Sequence, residues 1–158
     1  MNDFTATLKV DRSPADVRAA LTSTVALAAW WSQVTGSGVP GGELAFVFEG
    51  PVEPTVLRVD EATTELVQWT CLSSGNMPDW AGTVVTFTIE PVGASTAIFF
   101  RHEGLTPALE CFTDCYLGWT HFMQSLKQYL DSGVGMPFTS QADIERRAAR
   151  ERDRALAG

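Results

Sequence analysis

The sequence predicts an α+β domain: an antiparallel sheet covered on one face by a single long amphipathic helix near the C-terminus. Two hydrophobic periods carry this prediction. Across residues 43–102, apolar side chains return at every second position in short runs separated by turn residues, the signature of strands with one buried face. Across residues 106–133 the spacing changes to alternating threes and fours, so that Leu109, Phe112, Tyr116, Trp119, Met123, Leu126 and Leu130 fall on one side of a helix. Both faces need cover, and 158 residues with 45% apolar side chains are enough to build one core between them.

From the N-terminus, Phe4, Ala6, Leu8 and Val10 alternate with Thr5, Thr7 and Lys9 as a first strand. Ser13-Pro14-Ala15-Asp16 supplies a cap, a proline suited to the first helical position and an acid that reaches back, so a short helix runs to about Leu21. A second short helix covers residues 25–31 and is broken by the glycines and proline of 35–42, read as a turn. Strands follow. Leu44, Phe46 and Phe48 alternate with Ala45, Val47 and Glu49; residues 56–59 and 66–72 are β-prone; and Val85, Phe87 and Ile89, then Ile98, Phe100 and His102, flank a turn at 91–94. Short connections make this a meander, with about six strands in all.

The long helix is bounded by Thr106 as cap, Pro107 at its first position and Gly133 as a left-handed stop. Cys115, Phe122 and Tyr129 flank its apolar stripe, whereas Glu110, Asp114, His121, Gln124 and Gln128 lie across from it, which places His121 in solvent. Residues 1–135 are read as one domain and 136–158 as a charged tail. The tail is helical by composition, but Ile144, Ala148 and Leu156 are its modest apolar positions, so a solvated or partner-docked helix is expected.

The net charge is −8, with 15 acidic and 6 basic residues before Thr139 and 4 and 5 from there on. An acidic body repels phosphate backbones, which sets nucleic acid aside as a partner. No apolar run approaches the roughly 20 residues of a membrane span and the N-terminus lacks a signal-peptide layout, so a cytoplasmic protein without membrane insertion is expected. Cys71, Cys111 and Cys115 do not form a disulfide framework. Together with His102 they lack the spacing of a structural zinc site, and no glycine-rich phosphate loop opens a helix; no metal or cofactor is expected.

Particular residues add a resemblance. Trp30-Trp31, Gly41-Gly42-Glu43-Leu44-Ala45-Phe46, Trp80-Ala81-Gly82-Thr83 with Val85 and Phe87, His102-Glu103-Gly104-Leu105, and Gly118-Trp119 with Leu126-Lys127-Gln128-Tyr129-Leu130 occur in an order that resembles the SRPBCC or START-like superfamily. The branch is the one named for activators of the heat-shock protein 90 ATPase. The resemblance covers about residues 4–133 and implies a helix-grip fold, a curved antiparallel sheet wrapped around the long helix with a cavity between them. It also implies a range of roles, since related domains bind lipids, hormones or polyketides, a few are cyclases or hydrolases, and some bind a chaperone. The eukaryotic activators have two domains, whereas this chain has room for one.

In that frame Trp31, Phe46, Phe48, Trp69, Trp80, Phe87, Phe100 and Trp119 converge between sheet and helix, with Trp80 at the cavity mouth. Aromatics at such spacing pack cores as readily as they line cavities; the resemblance favours the cavity. From the helix, Cys115, Trp119 and Met123 are expected to touch a ligand. His102 shares a strand face with Ile98 and Phe100 and points inward, either as a buried neutral histidine, as a hydrogen-bonding group for a ligand, or as an acid or base. The function expected is binding of a small hydrophobic or aromatic molecule, with no catalytic residue assigned. The alternatives are a cyclase- or hydrolase-type enzyme using His102 and a module that docks a chaperone or a second copy of the chain.

Overall fold

A computed structural model describes residues 3–48 and 50–157; Glu49, read above as part of a strand, lies outside them. The elements are β1 (Phe4–Val10), α1 (Pro14–Thr22), α2 (Thr24–Trp30), β2 (Val34–Gly36), β3 (Glu43–Phe46), β4 (Thr55–Ala62), β5 (Leu66–Ser73), β6 (Val84–Val92), β7 (Ser95–Glu103), α3 (Phe112–Ser132) and α4 (Gln141–Ala157). The strands form one antiparallel sheet in the order β1-β7-β6-β5-β4-β3-β2. Every connection within the run β2 to β7 joins neighbours, and the excursion through α1 and α2 carries the chain from one sheet edge to the other. Register shifts in β4 against β5 bend the sheet, and α3 packs against its concave face. This is the helix-grip architecture.

Local chemistry explains most boundaries. Ser13 Oγ accepts the Asp16 amide at 3.2 Å and Ser23 Oγ the Ala26 amide at 3.3 Å, so each short helix opens on a serine cap. The seventh strand, β2, lies partly in the segment read as a turn. Gly36, a turn residue by sequence, sits where an added Cβ would stand 1.9 Å from the Glu43 carbonyl oxygen; the absent side chain is what lets β2 approach β3. Phe48 falls beyond the end of β3 and is half-buried.

The long helix begins at Phe112, not Thr106. Two successive turns, closed by the Leu109 amide on the Thr106 carbonyl and the Phe112 amide on the Leu109 carbonyl, carry the chain from the end of β7 onto the helix axis. Its far end stops as expected, on Gly133 with φ 86°. Leu126 and Leu130 are buried, but Tyr116 is 47% exposed: it overhangs the β1 edge, where its ring meets Phe4 edge-on at 5.2 Å.

After α3 the chain turns back across the helix. Buried Ser125 donates to the Trp30 carbonyl at 2.7 Å and accepts the Met136 amide at 2.6 Å; the Phe138 amide reaches the Trp31 carbonyl at 2.6 Å. These bonds seat residues 136–138 between α2 and α3 and aim α4 along the polar side of α3. His121 is therefore buried rather than in solvent, its Nε2–H donating to the Met136 carbonyl at 2.9 Å.

Candidate functional site

Between the sheet and the middle of α3 the interior is filled. Trp31 stacks parallel to Trp69 at 6.0 Å; Phe87 meets Trp69 and Phe100 edge-on at 5.1 Å each; and Phe100 lies 4.6 Å from Trp119. Phe46, Trp69, Phe87, Phe100 and Met123 are all buried in this cluster and are not among the residues that line the cleft on the far side of Trp119. The register explains this: Phe100 lies opposite Phe87, which lies opposite Val67, so large side chains from adjacent strands fill one row beneath the helix.

His102 lies in the same dry region with no solvent exposure. Its Nδ1 accepts the indole N–H of Trp119 at 2.9 Å, so the ring proton of the neutral form resides on Nε2. Nε2 in turn donates to Thr83 Oγ1 at 2.8 Å, and the Thr83 hydroxyl donates to the Trp80 carbonyl at 2.6 Å. One continuous chain of bonds thus ties α3, β7 and the Pro78–Trp80 turn together. Burial lowers the imidazole's pKa from its ordinary 6.5 to about 4, because a charge there has no water and its protonation would break the Trp119 bond. Of the three roles left open for His102 by the sequence, this geometry is that of the buried neutral histidine, and it keeps the ring away from the cleft.

Space opens on the other side of Trp119. A cleft of about 310 Å³ is walled by Trp31, Phe48, Trp80, Trp119, Phe122 and Phe138, with Met77 and Cys115 at its base. Trp80 and Trp119 are stacked at 5.7 Å and 11°. Trp80 Nε1 donates to Cys115 Sγ at 3.2 Å, and the Cys115 thiol faces Met77 Sδ at 3.6 Å. Burial, reinforced by the neighbouring Cys111 thiol, pushes the Cys115 pKa far up, and burial pushes Cys71 up to about 11; neither is a poised thiolate. Trp31, Phe48, Trp80, Cys115 and Trp119 are the expected residues that the structure brings to this cleft.

The remaining wall comes from the tail. Asp143 is fully buried: Ser140 Oγ accepts its amide, and its carboxylate accepts the Thr139 amide at 2.9 Å, Arg146 at 2.6 Å and Arg147 at 3.0 Å. Burial opposes its charge, but the Thr139 amide and the Arg146 guanidinium outweigh that and hold its pKa below the ordinary value. The same grip keeps Thr139 at a left-handed φ of 72°. From this hub Arg146 extends over the Phe122 ring at 5.6 Å and Arg147 over Phe138 at 4.7 Å, and both line the cleft. Farther along α4, Arg150 and Arg154 grip Asp114 of α3. The tail is thus docked on its own domain through arginines and acids, and a hollow of about 520 Å³ remains between the helices. Ser140-Gln141-Ala142-Asp143 is a capping-box pattern, the sequence signal for this structured turn.

No curated protein matches the sequence. Among solved structures the fold is similar to the Aha1 dimer from Colwellia psychrerythraea, with 28% identity over 85% of this chain and 100% of that one and a TM-score of 0.72. It is also similar to CalU16 from Micromonospora echinospora, with 16% identity over 97% of this chain and 84% of that one, TM-score 0.68. A conserved protein of Enterococcus faecalis gives 17%, 97%, 85% and 0.64 in the same terms. A likeness covering 97% of the chain includes most of α4, so the folded-back tail belongs to an architecture these proteins share. The sequence pattern described as "Activator of Hsp90 ATPase homolog 1-like protein" matches residues 11–131, most of the domain. The chain belongs to this family.

Proposed function

We propose that the protein binds a small apolar or aromatic molecule in the cleft between α3, the Pro78–Trp80 turn and the folded-back tail. The observation that carries this reading is a group of aromatic rings left around about 310 Å³ of space beside a closely packed core. That volume is at the lower end of ligand sites, which span roughly 300–1,000 Å³. Among the described residues no side chain on the wall is poised for acid–base work: both Asp114 oxygens are held by arginines, the Cys115 thiol stays protonated, and His102 is sealed behind Trp119. Tryptophan fluorescence and thermal shift against a panel of hydrophobic ligands test the reading, with Trp80 and Trp119 as reporters. Phe48→Ala, which removes a half-buried ring of the wall, should weaken any ligand found by about tenfold, with a modest fall in melting temperature from its lost contacts with Trp31 and Phe138. A folded sample that responds to no member of the panel overturns the proposal.

A second reading, a protein-interaction module, draws on the family description and on the dimeric state of the Colwellia relative. It predicts a dimer by light scattering or a changed chaperone ATPase rate on addition of the protein. A monomer without effect on the ATPase removes it.

A further inference from the structure

Resting on the binding reading, the hydrogen-bonding groups of the cleft narrow the chemistry of its occupant. We infer that the ligand is a flat apolar molecule bearing an anionic oxygen group, a carboxylate or an ionised hydroxyl, directed at Arg146 and Asn76. The walls account for the flat apolar part, since stacked Trp80 and Trp119 face the rings of Phe48 and Phe138.

The polar part follows from which groups are already engaged. Among the described residues the side-chain acceptors on the wall are all taken. Asp114 Oδ1 accepts from Arg150 at 2.9 Å and Oδ2 from Arg154; Asn76 Oδ1 accepts from the Thr55 and Ser74 hydroxyls at 3.2 Å each; and Cys115 Sγ accepts from Trp80. Two of the three indole donors on the wall are used, Trp80 on Cys115 and Trp119 on His102. Donors remain. Neither the Trp31 indole nitrogen nor the Asn76 amide nitrogen has an acceptor among the described residues, and the guanidinium of Arg146, bonded to Asp143 through one terminal nitrogen and with its Nε closed to solvent, lines the same cleft. Asp143 at one side and the Phe122 ring beneath hold the Arg146 guanidinium in place, so an oxygen acceptor entering the cleft meets a donor already oriented. A ligand amine, by contrast, would find no free carboxylate among the described residues and would lie beside two guanidiniums.

The experiment is a calorimetric series on the full chain with three naphthalene probes of similar size: the 2-carboxylate, the 2-carboxamide and the 2-methylamine. The expected result is that the carboxylate binds about tenfold or more tightly than the carboxamide and that the amine binds weakest. Arg146→Gln, with its fold checked by circular dichroism, should remove most of that preference by weakening the carboxylate far more than the carboxamide. The ranking in the unmodified chain stands even if the variant does not fold. Equal affinities, or an amine that binds best, overturn the charge assignment and leave the cleft as a purely apolar site. No binding by any of the three, together with a silent hydrophobic panel, overturns the binding reading itself.

Discussion

Trp119 divides the domain into two regions built from the same kinds of residue. On one side its indole edge donates to His102, and Phe100, Phe87 and Trp69 fill the space up to the sheet. On the other its ring stacks on Trp80 above a cleft. The difference lies in what covers each side. In the core, strand register brings short side chains and rings from neighbouring strands into contact under the helix, and no gap the size of a ligand remains. Over the cleft the cover is α4, which meets α3 through Arg146, Arg150 and Arg154. Long charged side chains bridge two helices without bringing their backbones close, and hollows persist beneath them. Aromatic content alone therefore does not make a site; the chemistry of the opposing element decides.

The comparison breaks most sharply at the residue the two regions share. Trp119→Ala should cost about 3–5 kcal/mol in global stability, since it empties the core side and leaves His102 Nδ1 without its donor. Chemical denaturation measures this, and a loss below about 1 kcal/mol would show that the core side is not packed as described.

Next in size is a pH effect confined to the core side. The folded-state pKa of His102 is about 4 against an ordinary 6.5, so between these values the unfolded chain binds the extra proton. Stability should be full above pH 6.5 and fall by about 3 kcal/mol on acidification to pH 4. In His102→Gln most of that slope should disappear, with a smaller part left to buried His121, whose pKa burial also lowers; an unchanged slope in His102→Gln would assign the effect to another group.

The tail should respond separately and less. Asp143→Asn removes the charge that holds Arg146, Arg147 and the Thr139 amide, and should loosen α4 by about 1–3 kcal/mol, with only a small shift in the unfolding of the rest. Hydrogen exchange would show this as faster exchange in α4 alone. Because the Asp143 carboxyl is held below its ordinary 3.8, its contribution is complete above that pH and is lost as the pH falls through its lower folded-state value. This window lies below that of His102. Simultaneous loss of tail and core at one pH would mean that the two regions are a single unit.

Much of the fold is legible locally. Alternation over Phe4–Val10 and Ser95–Glu103, the serine cap of α1 and the Gly133 stop each follow from contacts within a few residues, and the structure has them where the pattern puts them. The boundaries that differ depend on long-range approach. Gly36 reads as a turn residue until Glu43 is known to lie against it, and Thr106 reads as a helix cap until the path from β7 is known. The cleft is partly legible: Trp31, Phe48, Trp80, Cys115 and Trp119 are marked by type and face, whereas Phe138, Arg146 and Arg147 sit in a tail whose hydrophobic pattern is too weak to mark a contact face.

Periodicity thus suffices for the elements and for the face each must bury, because spacing along one element sets where its side chains point. Which aromatic became core and which became wall depended on how elements distant in sequence were brought together. His102 and Trp119 are both inward-facing by pattern, yet only their meeting across strand and helix makes the imidazole a sealed acceptor. Likewise a charged tail becomes part of the cleft wall only because Ser125, Trp30 and Trp31 seat residues 136–138 and turn it back over α3. Those bonds join groups up to 107 positions apart, as in Phe138 to Trp31, and no local pattern encodes such a meeting.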